Sequence, residues 1–353
     1  RHTSDRALLR SLWPQVDAAA RYMEQLRQSE RSALNRTVGR EAFFGLMPAS
    51  ISHEGYSAKP VHSYWDDFWA LAGYRDAADL AAVLGEAARA VELAQQRDEF
   101  AADLGRSLRL AMGQHRIDHL PGAAELGDFD PSSSTLIFSP AGAEALVDRG
   151  TLEATWERYW RESLDRIEGR RTWDDYTPYE WRSVSAFVRL GQPQRANALA
   201  EFFMRDRRPA AWNQWAEVVG REPRKVRFLG DMPHAWISSD FIRAALDRLA
   251  YERDSDHALM LAAGVPREWL DHGVAVNGLR TRHGALSYRL KREGAEVHLN
   301  VDAGMTPPVG GLWLAWPGDD ALPRATINGQ AASWDGRSLR IPALPAQVLL
   351  APP

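Results

Sequence analysis

The sequence has no cysteine in 353 residues, which excludes disulfide frameworks, thiolate metal sites and cysteine nucleophiles. Lysine is scarce: it stands at Lys59, Lys225 and Lys291, and arginine supplies the rest of the 43 basic side chains. No charge of one sign dominates. Against 47 acids the net charge is −4, so there is no broad field to hold nucleic acid or an anionic membrane. No apolar run approaches the roughly 20 residues of a membrane span. Several chemistries lack their motifs as well: there is no G-x-S-x-G elbow, no G-x-x-x-x-G-K-[ST] loop, no H-E-x-x-H helix and no G-x-G-x-x-G fingerprint. The 10 histidines are scattered, His53 and His62 among them, and nothing else shows ligand spacing, so no metal site and no cofactor are expected. Acids in the second long loop are not spaced as an EF-hand, and calcium is not indicated.

What remains is a chain of ordinary globular character, 45% hydrophobic and 25% charged, long enough for about two domains. It opens Arg1-His2-Thr3 without an initiator methionine, as a piece of something longer would. Its 14 tryptophans stand out, many beside acids or histidines. Rigid flat rings with a polar handle suit stacking on ligand rings, sugars included, although a tryptophan-rich core would need them too.

Apolar residues recur at helical spacing over 5–30, where Pro14 is expected to begin or kink the helix, and again over 65–71, 76–84 and 89–112. Further helices are predicted at 152–167, 179–190, 195–203 and 239–251, with a short apolar segment at 136–146. Long loops rich in Gly, Pro and Trp alternate with short connections, a pattern of helical hairpins arranged as an array or toroid. After Tyr251 the pattern changes to short alternating runs from 274 to 350, separated by Asn277-Gly278, Asn328-Gly329 and Asp335-Gly336. The expected architecture is mainly α: an (α/α)6-type helical toroid over 1–270, complete or incomplete, then a small antiparallel β-sandwich over 271–353.

The long loops hold carboxylates next to aromatics. The first carries His62, Tyr64, Trp65, Asp66, Asp67 and Trp69; helix capping accounts for one of the two aspartates but not for their company. The second carries Glu125, Asp128 and Asp130-Pro131, of which Asp130 reads as a helix cap. The third ends in Tyr179-Glu180-Trp181-Arg182, with Glu180 in a first helical turn. The fourth carries Trp212, Trp215 and Glu217, then Asp231, His234 and Trp236; Glu217 stands too far ahead of its helix to be a cap. Paired carboxylates among tryptophans fit acid/base work on a glycosidic bond best.

With these loops in place, the chain resembles the six-hairpin glycosidases, a superfamily of (α/α)6 toroids that includes glucoamylases, trehalases and α-L-rhamnosidases. Tyr64-Trp65-Asp66-Asp67-Phe68 is similar to the Trp-acid-acid motif bearing the general acid. Trp215-Ala216-Glu217, followed by Met232-Pro233-His234-Ala235-Trp236-Ile237-Ser238, is similar to the base-bearing loop and the entry to the last inner helix. The resemblance implies inner helices starting near 65, 132, 179 and 238, the last four of six. The first two hairpins are then expected upstream of Arg1, in an N-terminal portion that completes the barrel. It also implies direct inversion on an oligo- or polysaccharide. Asp66, kept protonated by Trp65 and Trp69, is the acid and Glu217 the base, with carboxyls roughly 6.5–9.5 Å apart. Asp67 and Glu180 are the alternates for these two roles. Trp212, Trp215 and Trp236 are expected as stacking walls, and His62, Glu125, Asp128, Glu180 and His234 as partners of sugar hydroxyls. Such an enzyme is expected in the periplasm or outside the cell, without excluding the cytoplasm. The rival readings are a glycoside phosphorylase, a polysaccharide lyase using Tyr56 or Tyr64 with His62, and a non-catalytic carbohydrate-binding module.

Overall fold

A computed structural model of the chain describes residues 5–53, 55–226, 228–317 and 321–353. They divide into two compact units, one ending at Arg161 and the other beginning at Glu162.

In the first unit, α1 (Arg6–Glu30) starts where Asp5 caps it, the Asp5 carboxylate accepting the Leu8 N–H at 2.9 Å. Pro14 therefore lies inside the helix and does not begin it. The 65–71 and 76–84 segments are one continuous helix, α2 (Tyr64–Leu84), which packs on α1 and on α3 (Ala87–His115). The α2–α3 turn pivots on Gly85 at φ 85°, a left-handed conformation that glycine adopts without a side-chain clash. Tyr74 and Phe68 of α2 and Phe100, Leu104 and Leu108 of α3 are buried and build the core of this hairpin. The inner helix expected near 132 is only a single turn, α4 (Pro131–Ser134), and the short apolar segment at 136–146 continues it as 3-10 turns at Thr135–Ile137 and Glu144–Leu146, with Pro140 and Gly142 in the interval. Asp130 caps α4 as expected, its Oδ1 accepting the Ser133 N–H at 3.0 Å with Pro131 in the first helical position. Next comes α5 (Arg149–Ile167).

In the second unit, α6 (Trp181–Arg189) and α7 (Pro193–Arg205) form a hairpin, and α6 also packs on α8 (Ala235–Leu249). Arg189 and Asp247, both buried, join α6 to α8 at 3.1 Å. A two-stranded ribbon of β1 (Asp175–Tyr176) and β2 (Val219–Gly220) draws together the loops before α6 and α8.

Strands resume at Ala250, ahead of the 271 expected. The hairpin of β3 (Ala250–Arg253) and β4 (Ala258–Leu261) follows α8 without a break, and its apolar residues continue the helical pattern in sequence. After α9 (Trp269–His272) come β5 (Val274–Thr281), β6 (Gly284–Glu293), β7 (Glu296–Val301), β8 (Leu312–Ala315) and β9 (Arg324–Ile327). The last strands are β10 (Gln330–Ala332), β11 (Trp334–Asp335), β12 (Ser338–Ile341) and β13 (Ala346–Ala351). One sheet has six strands in the order β10-β9-β13-β7-β6-β5, and the other five in the order β11-β12-β8-β4-β3. Alternate residues such as Leu286, Tyr288 and Leu290 of β6 share a single core with Leu259, Leu312 and Leu339 of the second sheet. The sandwich is not wholly antiparallel, because β4 runs parallel to β8. Asn328-Gly329 makes the expected tight turn, with φ values of 51° and 79° between β9 and β10. Asn277-Gly278 does not turn the chain: it is a bulge within β5, where pairing to β6 shifts between Val276 and Leu279.

Candidate active site

The first unit positions Asp66 in the opening turn of α2. A bridge between Ser50 and Val61 closes the base of the loop in front of this helix, and both serines near that base reach the aspartate. Ser50 Oγ donates to Asp66 Oδ2 at 2.5 Å and Ser52 Oγ to Oδ1 at 3.0 Å. Asp66 is partly exposed and makes no ion pair among the described residues. Its neighbour Asp67 is fully buried. Oδ1 accepts the Met47 N–H at 2.8 Å, while Oδ2 has no partner. Burial, reinforced by the charge of Asp66 and only partly offset by the Met47 N–H, pushes the Asp67 carboxyl up to about 8. So deeply buried, Asp67 lies out of reach of a substrate.

The same loop brings His53 beside the edge of Trp65, with ring centroids 5.0 Å apart. His53 Nε2 lies 3.1 Å from Ser133 Oγ and 3.7 Å from Asp130 Oδ2. Asp130 holds the imidazole above its usual range, and the charge of Asp66 adds to this. Serine and aspartate meet the same ring nitrogen, so the trio is not a nucleophilic triad, in which the acid would hold Nδ1. Tyr56 donates to Asp128 Oδ2 at 2.9 Å, over Gly122, where a Cβ would lie 2.6 Å from the phenol oxygen. Burial and the Asp128 charge push the Tyr56 phenol up.

Other first-unit candidates serve the fold. Tyr64 is buried, its hydroxyl 2.8 Å from Ser107 Oγ, which in turn donates to Ala42 O. His62 is buried between two carboxylates, Nδ1 at 2.6 Å from Glu125 and Nε2 at 3.4 Å from Glu30, and is stacked on Phe43. Burial disfavours the His62 charge, yet the bond and charge of Glu125 outweigh it and raise the imidazole above its usual range. Burial likewise works against the Glu125 charge, but His62 holds that carboxyl below its usual range. Asp128 also accepts the Ala123 N–H at 3.0 Å, which ties the second loop to itself. Trp65 is buried and Trp69 is 43% exposed on α2.

In the second unit, Glu217 sits on a stretch fastened by its backbone. Its N–H donates to Asp231 O at 3.1 Å, and its carbonyl accepts from Thr177 Oγ1 at 2.7 Å. Gly230 packs so closely that a Cβ there would lie 2.9 Å from the Val218 nitrogen and 3.4 Å from Glu217 Cβ. The Glu217 side chain is partly exposed, and among the described residues its carboxylate has no hydrogen-bond or ion-pair partner. Glu180, the alternate, is held by both terminal nitrogens of Arg166, whose guanidinium lies 4.6 Å from the Tyr176 ring centroid. His234 caps α8 through Nδ1, which accepts the Ile237 N–H at 3.3 Å, so Nε2 carries the ring proton and faces Tyr179 Oη at 3.4 Å. Tyr179 stands edge-on to Trp236 at 5.8 Å, with Arg182 over both rings. Arg182 is paired with Asp240 at 2.9 Å; burial, against that pairing, raises the Asp240 carboxyl. Trp236 and Trp212 are 44% and 62% exposed. Trp215 is not a stacking wall. It is buried against Trp181 and Phe241, with its indole N–H donating to Phe203 O at 3.0 Å.

Sequence reasoning missed Ser50 and Ser52 on Asp66, the Asp130–His53–Ser133 group, and the Tyr179–His234 pair. A Ser-x-Ser-His string in the first loop and a tyrosine beside Glu180 were the available signals.

No family model and no curated protein matches the sequence. Solved structures do resemble the fold. One is the α-L-rhamnosidase from Dictyoglumus thermophilum, with a TM-score of 0.55 and 10% identity over 99% of this chain and 38% of that one. Another is the α-L-rhamnosidase of Streptomyces avermitilis complexed with L-rhamnose, with a TM-score of 0.53 and 12% identity over 99% of this chain and 31% of that one. The chain thus spans well under half of either rhamnosidase. At such identity the likeness is one of fold alone: a mainly helical region followed by β-sheets.

Proposed function

We propose that this chain carries the catalytic carboxylates of an inverting glycoside hydrolase, with Asp66 as general acid and Glu217 as general base. The observation that carries the reading is the state of the four candidates. Asp66 and Glu217 are partly exposed and unpaired with any cation among the described residues, whereas Asp67 is fully buried and Glu180 is locked to Arg166. An acid must reach the leaving oxygen, and a base must keep its lone pairs for water. The two serine hydroxyls on Asp66 fix its orientation in place of the apolar walls expected from sequence. The exposed rings of Trp69, Trp212 and Trp236 offer stacking faces, and the fold likeness to rhamnosidases supports a glycan as the substrate. Further hairpins ahead of Arg1 completing an (α/α)6 barrel, a catalytic region over 1–270 with a β-domain over 271–353, and a periplasmic or extracellular site of action belong to the same proposal.

The test is a screen of aryl glycosides with product anomers followed by NMR, on the native chain and on Asp66→Asn and Glu217→Gln. Loss of turnover in both variants, with inverted product from the native chain, supports the reading. Unchanged turnover in either variant sinks it, and glycan binding without turnover in the native chain would assign a carbohydrate-binding module instead.

A further inference from the structure

Away from the carboxylates, the end of α1, the turn after Glu41–Phe43 and the middle of α3 meet around one phenyl ring. The guanidinium carbons of Arg31, Arg36 and Arg106 lie 5.2, 4.7 and 5.3 Å from the centroid of Phe44. Three cations on one ring is an arrangement that the ring quadrupole favours and mutual repulsion opposes. Beneath them, Asp103 accepts from Arg106 at 2.8 Å, from Arg31 at 3.1 Å and from the fully buried Arg27 at 3.4 Å. One buried carboxylate thus serves three guanidinium groups. Gly45, at φ 79°, lies against that carboxylate so closely that no side chain fits between.

Neutralisation is incomplete on the solvent side. The other anions of the group are Glu24, which grips Arg27, and Glu99, which lies 3.6 Å from Arg31; the nearby Glu41 turns to the Gly39 N–H. Arg36 is exposed and has no carboxylate partner among the described residues, so its contact with Phe44 leaves five N–H donors unspent. Arg31 and Arg106, 28% and 43% exposed, spend on Asp103 only part of their forks. Solvent therefore meets three guanidinium groups against the single exposed anion Glu99. Planar forks held by stacking are pre-organised for an oxyanion, which they bind bidentately.

We propose that Arg31, Arg36 and Arg106, held around Phe44, form an oxyanion subsite that takes the carboxylate of an acidic glycan. The glycan part of this assignment rests on the function proposed above; the oxyanion part stands on the arginine geometry. The subsite lies in the same unit as Asp66 and connects toward it by stacking. Arg40, 5.1 Å from the adjacent Phe43 ring, and His62 on that ring lead to the start of α2.

Calorimetric titration with trigalacturonate, maltotriose and sodium sulfate separates the possibilities, using the native chain, Arg36→Ala and Arg36→Lys, each checked for an unchanged melting temperature. The expected result is that trigalacturonate binds more tightly than maltotriose, that added salt weakens it, and that Arg36→Ala costs about tenfold or more. Arg36→Lys should recover only part of this, having lost the fork. Equal affinity for the acidic and neutral trisaccharides overturns the proposal, as does an unaffected Arg36→Ala. Arg36-dependent binding of sulfate with no preference for trigalacturonate leaves a bare anion site and overturns the glycan source. The same titration on Asp66→Asn keeps the two proposals apart, because an oxyanion subsite persists there whatever becomes of turnover.

Discussion

Asp66 and Asp67 are adjacent in the chain and opposite in environment. The first is partly exposed with both oxygens on serine hydroxyls, and the second is fully buried with one oxygen on the Met47 N–H and the other on nothing. The buried one has a sharp consequence for stability. Burial pushes the Asp67 carboxyl up to about 8 in the folded chain, whereas unfolded it would titrate near the ordinary aspartate value of about 3.9. Between those values the folded state binds more protons than the unfolded one, so this residue makes stability fall as pH rises from about 4 to about 8, with a slope approaching about 1.4 kcal/mol per pH unit. Asp67→Asn keeps an acceptor for Met47 and removes the titration. Urea melts at pH 5 and pH 8 should show the variant close to the native chain at the lower pH and clearly more stable at the higher. Parallel pH dependence in both proteins would mean that Asp67 is not neutral in the folded state.

The His62–Glu125 pair gives a dependence with two edges. His62 is raised in the folded state, so its contribution is complete below the unfolded imidazole value and is lost as pH climbs through the folded one. Glu125 is lowered, so its contribution is complete above the unfolded carboxyl value and disappears as pH falls through the folded one. The pair is worth most between about pH 4.5 and pH 6.5. Replacing His62 by Gln should cost about 2 kcal/mol near pH 6 and less at pH 9, because the imidazole loses its charge as pH rises. Denaturant titrations at those two pH values are the measurement, and an equal loss at both would show that packing on Phe43 outweighs the ion pair.

Glu180 and Glu217 should separate fold from chemistry. Glu180→Gln breaks its ion pair with the Arg166 guanidinium, 11% exposed, a loss of about 3 kcal/mol. Glu217→Gln removes no partner among the described residues and should leave the melting temperature nearly unchanged while turnover disappears. Thermal melts beside initial rates decide. A stable Glu180→Gln that has lost all turnover would reverse the two roles.

How much of this was legible in the sequence depended on the distance over which each feature is decided. The Asp130-Pro131 cap and the Asn328-Gly329 turn rest on neighbours in the chain, and they stand where the sequence places them. The burial of Trp215 depends on Trp181 and Phe241, and the buried role of Tyr64 on Ser107, 43 residues away. His62 looks like a ligand-binding histidine until Glu125, 63 residues later, is seen to close on it. Asn277-Gly278 has the chemistry of a hairpin turn, but β6 pairs with β5 on both sides of it, and the dipeptide becomes a bulge. Strand β3 follows α8 directly, and no break in apolar spacing marks the change.

Gly230 links backbone packing to the proposed base. Its N–H donates to Val218 O at 2.9 Å, and its α-carbon faces the Val218 nitrogen and Glu217 Cβ with no room for a methyl group. In Gly230→Ala the new carbon would begin 2.9 Å from a backbone nitrogen that cannot swing aside, so the 217–219 stretch must yield. A displacement of roughly 1 Å at a catalytic group is enough to cost about a hundredfold in rate. If Glu217 is the base, Gly230→Ala should lose turnover by that order while losing only about 1–3 kcal/mol of stability. An equivalent alanine at Gly169, whose φ of 72° carries backbone strain but whose Cβ position is open, should cost stability without touching turnover. Rates and melts of the two variants side by side make the comparison. Full activity in Gly230→Ala would show that the Glu217 carboxylate does not need to be held where this glycine allows it to lie, and would count against its role as base.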